Sequence, residues 1–144
     1  IRSTVVDNEN IYTEWLSSGL ILNPLTNHLV YRSENGNNFE LITTLDSSIR
    51  SYLDEFVDVH NNQYDYVVVN RNICNINSTN SNPGNSLLLN FNRLDNFRTK
   101  LNWNFYNGWI DNPNRYEIQK LSSSGNWELF KIIDNTENEI IIRQ

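Results

Sequence analysis

Two histidines, one cysteine and 17 acidic residues are the main groups among these 144 residues that could carry proton transfer, nucleophilic attack or metal binding. A nucleophilic triad needs Ser or Cys, His and a carboxylate converging on one pocket. His28 opens an alternating segment and His60 sits in the polar run HNNQ, so both read as surface or turn residues. Neither lies near a G-x-S-x-G elbow. Cys74 has no C-x-x-C companion, so zinc and thioredoxin-like chemistry lack a ligand set. It reads as a buried inert thiol, or one that pairs outside this chain. Asp54, Glu55 and Asp58 are the closest group of carboxylates for glycoside chemistry, but a charged turn explains their spacing as well. No catalytic, cofactor-binding or metal-binding residue is assigned. Calcium is the one ion that the loop residues Asp7, Glu9, Asp58, Asp95 and Asp111 would suit, because it takes oxygen ligands. They contain no D-x-[DN]-x-[DN]-G run.

The aromatic residues admit a binding role. Tyr106 and Trp109, in the segment FYNGW, would form a flat platform for sugar rings if both were exposed, and they are the ligand-contact candidates. The competing role is to fill one end of a core. Asn77-Ser78-Thr79 matches the N-glycosylation triplet, which carries meaning only in a eukaryotic secretory context.

Composition sets bounds on the partners. The formal net charge is −6, and the 11 Lys and Arg residues form no basic stripe, which argues against nucleic acid as a partner. The longest aliphatic runs, such as Val67–Val69 and Ile140–Ile142, are strand-sized, so no membrane insertion is expected. The first ten residues have no basic-then-apolar signal pattern. Ala, the best helix former, is absent, and aromatic residues make up 12%, a bias toward pleated, half-buried surfaces. Asn crowds NGNN, HNNQ, NPGN and DNPN, which implies many tight turns.

The elements that must position these residues come from an internal repeat. At one offset, Trp15 falls on Trp103 (103 − 15 = 88) and NFELITTLD, ending at Asp46, falls on NWELFKIID, ending at Asp134. A unit of about 88 residues suits one small β-sandwich. Residues 1–85 are expected to form one module and 86–144 a second. By the same offset the second would run to about residue 172, so it is expected to stop before its strands F and G.

Short alternating runs between turn signals predict an all-β antiparallel sandwich. Strand A is placed near Ser3–Val6, B at IYTEW, C at HLVYR and C′ at FELITTL, with a hairpin signal at Asn35-Gly36. Strand E follows near Ser51–Asp54, F at YDYVVVN and G near Ser86–Asn90. The second unit repeats the pattern as KLNWNFY, RYEIQKL, WELFKII and EIIIR. Only LDEFVDV offers a competing helical turn.

This pattern resembles the fibronectin type III superfamily, an immunoglobulin-like sandwich. The resemblance rests on Trp15 and Trp103 as strand-B core residues and on Tyr64 as a tyrosine corner. The segments Tyr31–Ile42 (YRSENGNNFELI) and Leu101–Trp109 (LNWNFYNGW) are similar to repeats of large Bacteroidota surface proteins. Those repeats are associated with gliding motility and type IX secretion. The resemblance implies tandem modules, the second incomplete, acting without catalysis as spacers or adhesive units of a secreted or cell-surface protein. Other modules of the same longer chain, and a protein or glycan ligand, would be the partners. A carbohydrate-binding accessory module of a secreted enzyme is the alternative.

Overall fold

The computed structural model describes residues 1–16, 24–108 and 115–143, which form twelve strands and no helix. They fall into two units. One is drawn from 1–88 and 106–108, the other from 89–105 and 115–143.

Unit 1 is a two-layer antiparallel sandwich. Strands β1 (Arg2–Val6), β2 (Asn10–Glu14) and β5 (Ser51–Asp54) form one sheet in the order β1-β2-β5. The other holds β3 (Leu25–Glu34), β4 (Glu40–Asp46), β6 (Tyr64–Asn72) and β7 (Gly84–Asn85), ordered β4-β3-β6-β7. Successive side chains of a strand point to opposite faces. Ile11, Thr13 and Trp15 therefore share one face, as do Tyr64, Tyr66 and Val68, and those apolar members meet Val30 and Val59 in the core.

Two expectations are corrected here. His28 is not a surface residue but fully buried. It sits two residues before Val30 on the core-facing side of β3, opposite Asn70, with Trp15 edge-on at 5.6 Å. One assignment satisfies its ring: Nδ1–H donates to Asn70 Oδ1 at 2.6 Å, and Nε2 accepts from Arg50 Nη1 at 2.6 Å. The last strand of the unit is Gly84–Asn85 rather than a run beginning at Ser86, because Leu89 already starts a strand of unit 2. Serine hydroxyls extend the pairing along β6. The amides of Tyr64, Val68 and Asn70 donate to Oγ of Ser86, Ser81 and Ser78, whose own amides donate back to β6 carbonyls. The LDEFVDV segment is not helical. It ends β5 and then turns.

Unit 2 has the sheet β12-β9-β8, from β8 (Leu89–Arg93), β9 (Arg98–Trp103) and β12 (Glu139–Arg143). A hairpin joins β10 (Arg115–Leu121) to β11 (Trp127–Asp134). The offset of 88 found between Trp15 and Trp103 holds in the backbone pairing itself (103 − 15 = 88). Arg2↔Glu14 becomes Asn90↔Asn102, Ile11↔Asp54 becomes Thr99↔Ile142, and His28↔Leu45 becomes Tyr116↔Ile133. Even the bulge between Val30 and Tyr31 recurs between Ile118 and Gln119. Such a bulge bends and twists its strand locally, so its repetition gives both hairpins the same curvature.

The turns repeat too, which explains the Asp that closes each sequence block. Asp46 Oδ1 accepts from the amide and hydroxyl of Ser48 at 2.8 and 2.7 Å, and Asp134 Oδ1 from those of Thr136 at 2.9 and 2.8 Å. Both carboxylates are held below their ordinary pKa by these bonds, the backbone one foremost. An Asx turn of this kind fixes the corner before the next strand.

Residues 106–108 are built into unit 1. Asn85 N–H donates to the Asn107 carbonyl at 2.8 Å, and Asn107 N–H donates to Asn85 Oδ1 at 2.5 Å. Gly108 has φ +148, and a Cβ there would stand 2.8 Å from the Ile1 carbonyl oxygen and 3.1 Å from the Gly84 Cα. Both atoms are backbone, so neither can step aside as a side chain would. Gly108→Ala is expected to cost unit 1 about 1–3 kcal/mol, the usual range for imposed backbone strain. Chemical denaturation followed by tyrosine-corner probes in unit 1 would read the loss as a lower midpoint with an unchanged slope.

Candidate interaction surfaces

The polar centre of unit 1 is assembled from three strands. Asp54 ends β5 and is 1% exposed. Its Oδ2 accepts from Arg32 Nη1 of β3 at 2.9 Å and from the Tyr66 hydroxyl of β6 at 3.0 Å. Arg32 also donates to the Phe56 carbonyl at 2.9 Å and lies over the Tyr64 ring, 5.4 Å from its centroid. The Tyr64 hydroxyl accepts from the Asp58 amide at 2.9 Å, the tyrosine corner that the sequence implies. Burial, with the Asp54 charge beside it, drives the Tyr66 pKa far above the ordinary tyrosine value, so Tyr66 remains a donor. Burial works against the Arg32 charge, but the bond and field of Asp54 outweigh it and its pKa is raised. Asp54 and Tyr66 are buried, so their bond lies inside the unit. The group fixes β3, β5 and β6 against each other. Asp54→Asn would leave Arg32 without its counter-charge, and breaking a buried pair in this way typically costs about 3–5 kcal/mol. The expected result is a correspondingly lower stability of unit 1 in urea, and an unchanged midpoint would refute this assignment.

On the opposite face of the β4-β3-β6-β7 sheet lies a shallow groove of about 460 Å³. Phe39, Val67 and Pro83 give it apolar walls, and Asp65, Asn37 and Asn80 give it polar groups. Burial raises the Asp65 pKa, and a long contact with Gln63 Nε2 (3.5 Å) offsets this only in part. A carboxylate whose folded pKa is raised favours the folded state only when protonated. Asp65→Asn is therefore expected to stabilise unit 1 at pH 7, with the gain fading as pH falls through the raised folded pKa and absent below about pH 3. Denaturant midpoints at the two pH values check the sign. Sequence reasoning missed this groove. Its only local signal is the Asn35-Gly36 turn placed beside Phe39.

The residues singled out in the sequence are scattered. Tyr106 is half-buried in unit 1, where its hydroxyl donates to the Ser3 carbonyl at 3.2 Å. Trp109 and Asp111 lie outside the described residues. Asp7 sits in the β1–β2 turn with φ 54. Asp58 accepts from His60 N and Asn61 Nδ2, and Asp95 from Phe97 N and Arg98 Nε. Among the described residues no three His, Cys, Asp or Glu side chains gather as they would around a metal. Cys74 is exposed rather than buried, in the turn that follows β6.

Unit 2 presents a different surface. Trp103 is 6% exposed, with Tyr116 edge-on at 5.5 Å, the same pairing that Trp15 makes with His28. Around that anchor the apolar face stays open. Phe91 is 79% exposed and Phe130 48%, while Leu101, Ile118 and Ile142 are half-buried. Their counterparts Ser3, Thr13, Val30 and Asp54 in unit 1 are all at 2% or less, and Ile42 packs against the core. In unit 1 the strand that closes this face is β6. Among the described residues β10 pairs with β11 alone.

No family model and no curated protein matches the sequence. Solved structures resemble its fold. The chain aligns over 99% of its length, at 10% identity and a TM-score of 0.50, with the FN1–FN3 domains of chicken CNTN1, spanning 53% of that chain. It also aligns with the central fibronectin-III array of RIM-binding protein (13% identity, TM-score 0.45, 99% and 55% coverage). A two-domain fibronectin type III segment of chicken tenascin gives 8% identity and a TM-score of 0.43, covering 99% of this chain and 79% of that one. The chain thus spans about half the length of the first two structures it matches.

Proposed function

We propose that this chain, whose fold is all-β and fibronectin type III-like, provides non-catalytic spacer and adhesion modules of a large secreted or cell-surface bacterial protein. The observation that carries this reading is the repetition of one module with the same register, bulge, Trp anchor and Asx turn in both units. Repeats that keep their framework while their loops differ are suited to stringing together and presenting surfaces. The polar centre of unit 1 is turned inward to hold strands together, in keeping with a structural role. The Tyr31–Ile42 and Leu101–Trp109 segments favour the surface proteins of Bacteroidota, with gliding motility or type IX secretion as the setting. Neighbouring modules and a protein or glycan surface are the partners in this reading.

The test is surface labelling of intact cells that carry the parent protein, with an antibody raised against residues 1–85. Labelling without permeabilisation, together with reduced attachment when the 144-residue segment is deleted, is the expected result. Labelling only after lysis would overturn the proposal.

A further inference from the structure

We propose that the groove beside Phe39 on the β4-β3-β6-β7 sheet takes one arginine side chain of a partner protein, with Asp65 as its counter-charge. The site rests on reading unit 1 as an adhesive module, and it gives that module's partner a chemistry.

Asp65 sets the requirement. It lies on β6 between Ser33 of β3 and Asn85 of β7, inside the sheet rather than at its edge. Its carboxylate is partly desolvated there. Among the described residues its one hydrogen bond is the contact from Gln63 Nε2 at 3.5 Å, the outer limit of such a bond. A carboxylate offers about four acceptor positions, so most of its capacity is unused. A desolvated charge is costly unless it is paired. None of the residues lining the groove is a Lys, Arg or His, so no counter-charge comes from the groove itself.

The neighbouring polar groups ask for the same kind of occupant. Ser33 Oγ donates to the Asn37 carbonyl at 2.5 Å. Ser81 Oγ donates to the Asn82 carbonyl at 3.1 Å and accepts from the Val68 amide. Both hydroxyl protons are therefore spent inside the protein. The side-chain amides of Asn37 and Asn80 make no bond among the described residues, and their oxygens add two acceptors. With a full negative charge and acceptors in excess, the groove suits a cationic donor rather than an anion.

The apolar walls decide which cation. A metal ion gains nothing from Phe39, Val67 and Pro83, and one carboxylate gives it too few oxygens. A long basic side chain lays its aliphatic stem on such walls and keeps its head among polar groups. Guanidinium fits better than ammonium. It is the more weakly hydrated, pairs with a carboxylate through two parallel bonds and stacks on aromatic rings, and the Phe39 ring is exposed. The net charge of −6 draws a basic partner toward the chain.

The probe is the peptide acetyl-Gly-Arg-Gly-amide, added to the 144-residue chain with NMR shifts of Phe39, Asp65 and Val67 as the readout. Saturable shifts centred on these residues are expected, with a dissociation constant of about 1–10 mM, the scale of one anchored side chain. Asp65→Asn should weaken binding about tenfold or more, the loss of a charged hydrogen-bond partner. That variant is expected to be the more stable at pH 7, so a lost response there is not unfolding. Phe39→Leu keeps the wall but removes the ring, and should weaken binding about threefold. The lysine peptide should bind more weakly than the arginine peptide. The citrulline peptide, which keeps the shape without the charge, should not bind.

No saturable shift up to about 50 mM peptide would overturn the proposal. So would equal binding of the citrulline peptide, or an unchanged affinity in either variant. Shifts spread over the acidic residues of both units would mean long-range attraction alone, and would overturn it too. Lysine binding as tight as arginine would overturn the choice of guanidinium. Surface labelling reads where the parent protein lies and not what the groove binds, so the two ideas fail separately.

Discussion

The burial of β6, an inner strand of the β4-β3-β6-β7 sheet, against the facing sheet is the constraint on which the rest of unit 1 depends. Tyr64, Tyr66 and Val68 place two rings and a β-branched side chain on one face, at 2%, 0% and 5% exposure. Each large ring removes about 150–250 Å² from water, so this one strand supplies a large share of the core. Tyr64 and Tyr66 also carry hydroxyls inward, and those hydroxyls must be satisfied. Asp58 N–H serves the first and Asp54 the second. Asp54 in turn needs a cation, which is why Arg32 reaches down from β3. The polar centre follows from choosing tyrosine to fill the middle of a sandwich.

Unit 2 shows the same framework without that constraint. Its Trp anchor, strand register, bulge and Asx corner match those of unit 1. Backbone geometry of this kind is set by local pairs and turns within β8 to β12 (Leu89–Arg143), and it survives where no equivalent of β6 is described. The pockets have changed in step with the chemistry. Asp54 has become Ile142, and Ser3 with Thr13 has become Phe91 with Leu101. A polar bridge suited to a tyrosine hydroxyl has given way to an apolar wall, and the two modules share a scaffold but not an interior.

The groove beside Phe39 and the open face of unit 2 also differ in kind. The first is shallow and mixed, with one desolvated carboxylate at Asp65. The second is apolar, with Phe91 and Phe130 at 79% and 48% exposure. Contiguous exposed apolar patches larger than roughly a few hundred Å² are the ones that mark interaction sites.

The sequence by itself determined the repeat, the all-β class and the position of most strands. Those features rest on local alternation and on aromatic and turn residues, which act within a few positions of one another. The resemblance to fibronectin type III modules also implied a tyrosine corner at Tyr64, and the Tyr64 hydroxyl does accept from the Asp58 amide. Tertiary structure alone decided what depends on distant partners. His28 looked like a surface residue until β6 brought Asn70 to it and Arg50 closed the other side. Asp54 looked like part of a charged turn until Arg32 and Tyr66, 22 and 12 residues away, converged on it. Tyr106 offers a platform by type, and which bond its hydroxyl makes, to Ser3 103 residues earlier in the chain, is a tertiary matter. A residue's type limits the bonds it can make. Which of them it makes is settled only when the sheets stack and burial forces each polar atom to find a partner.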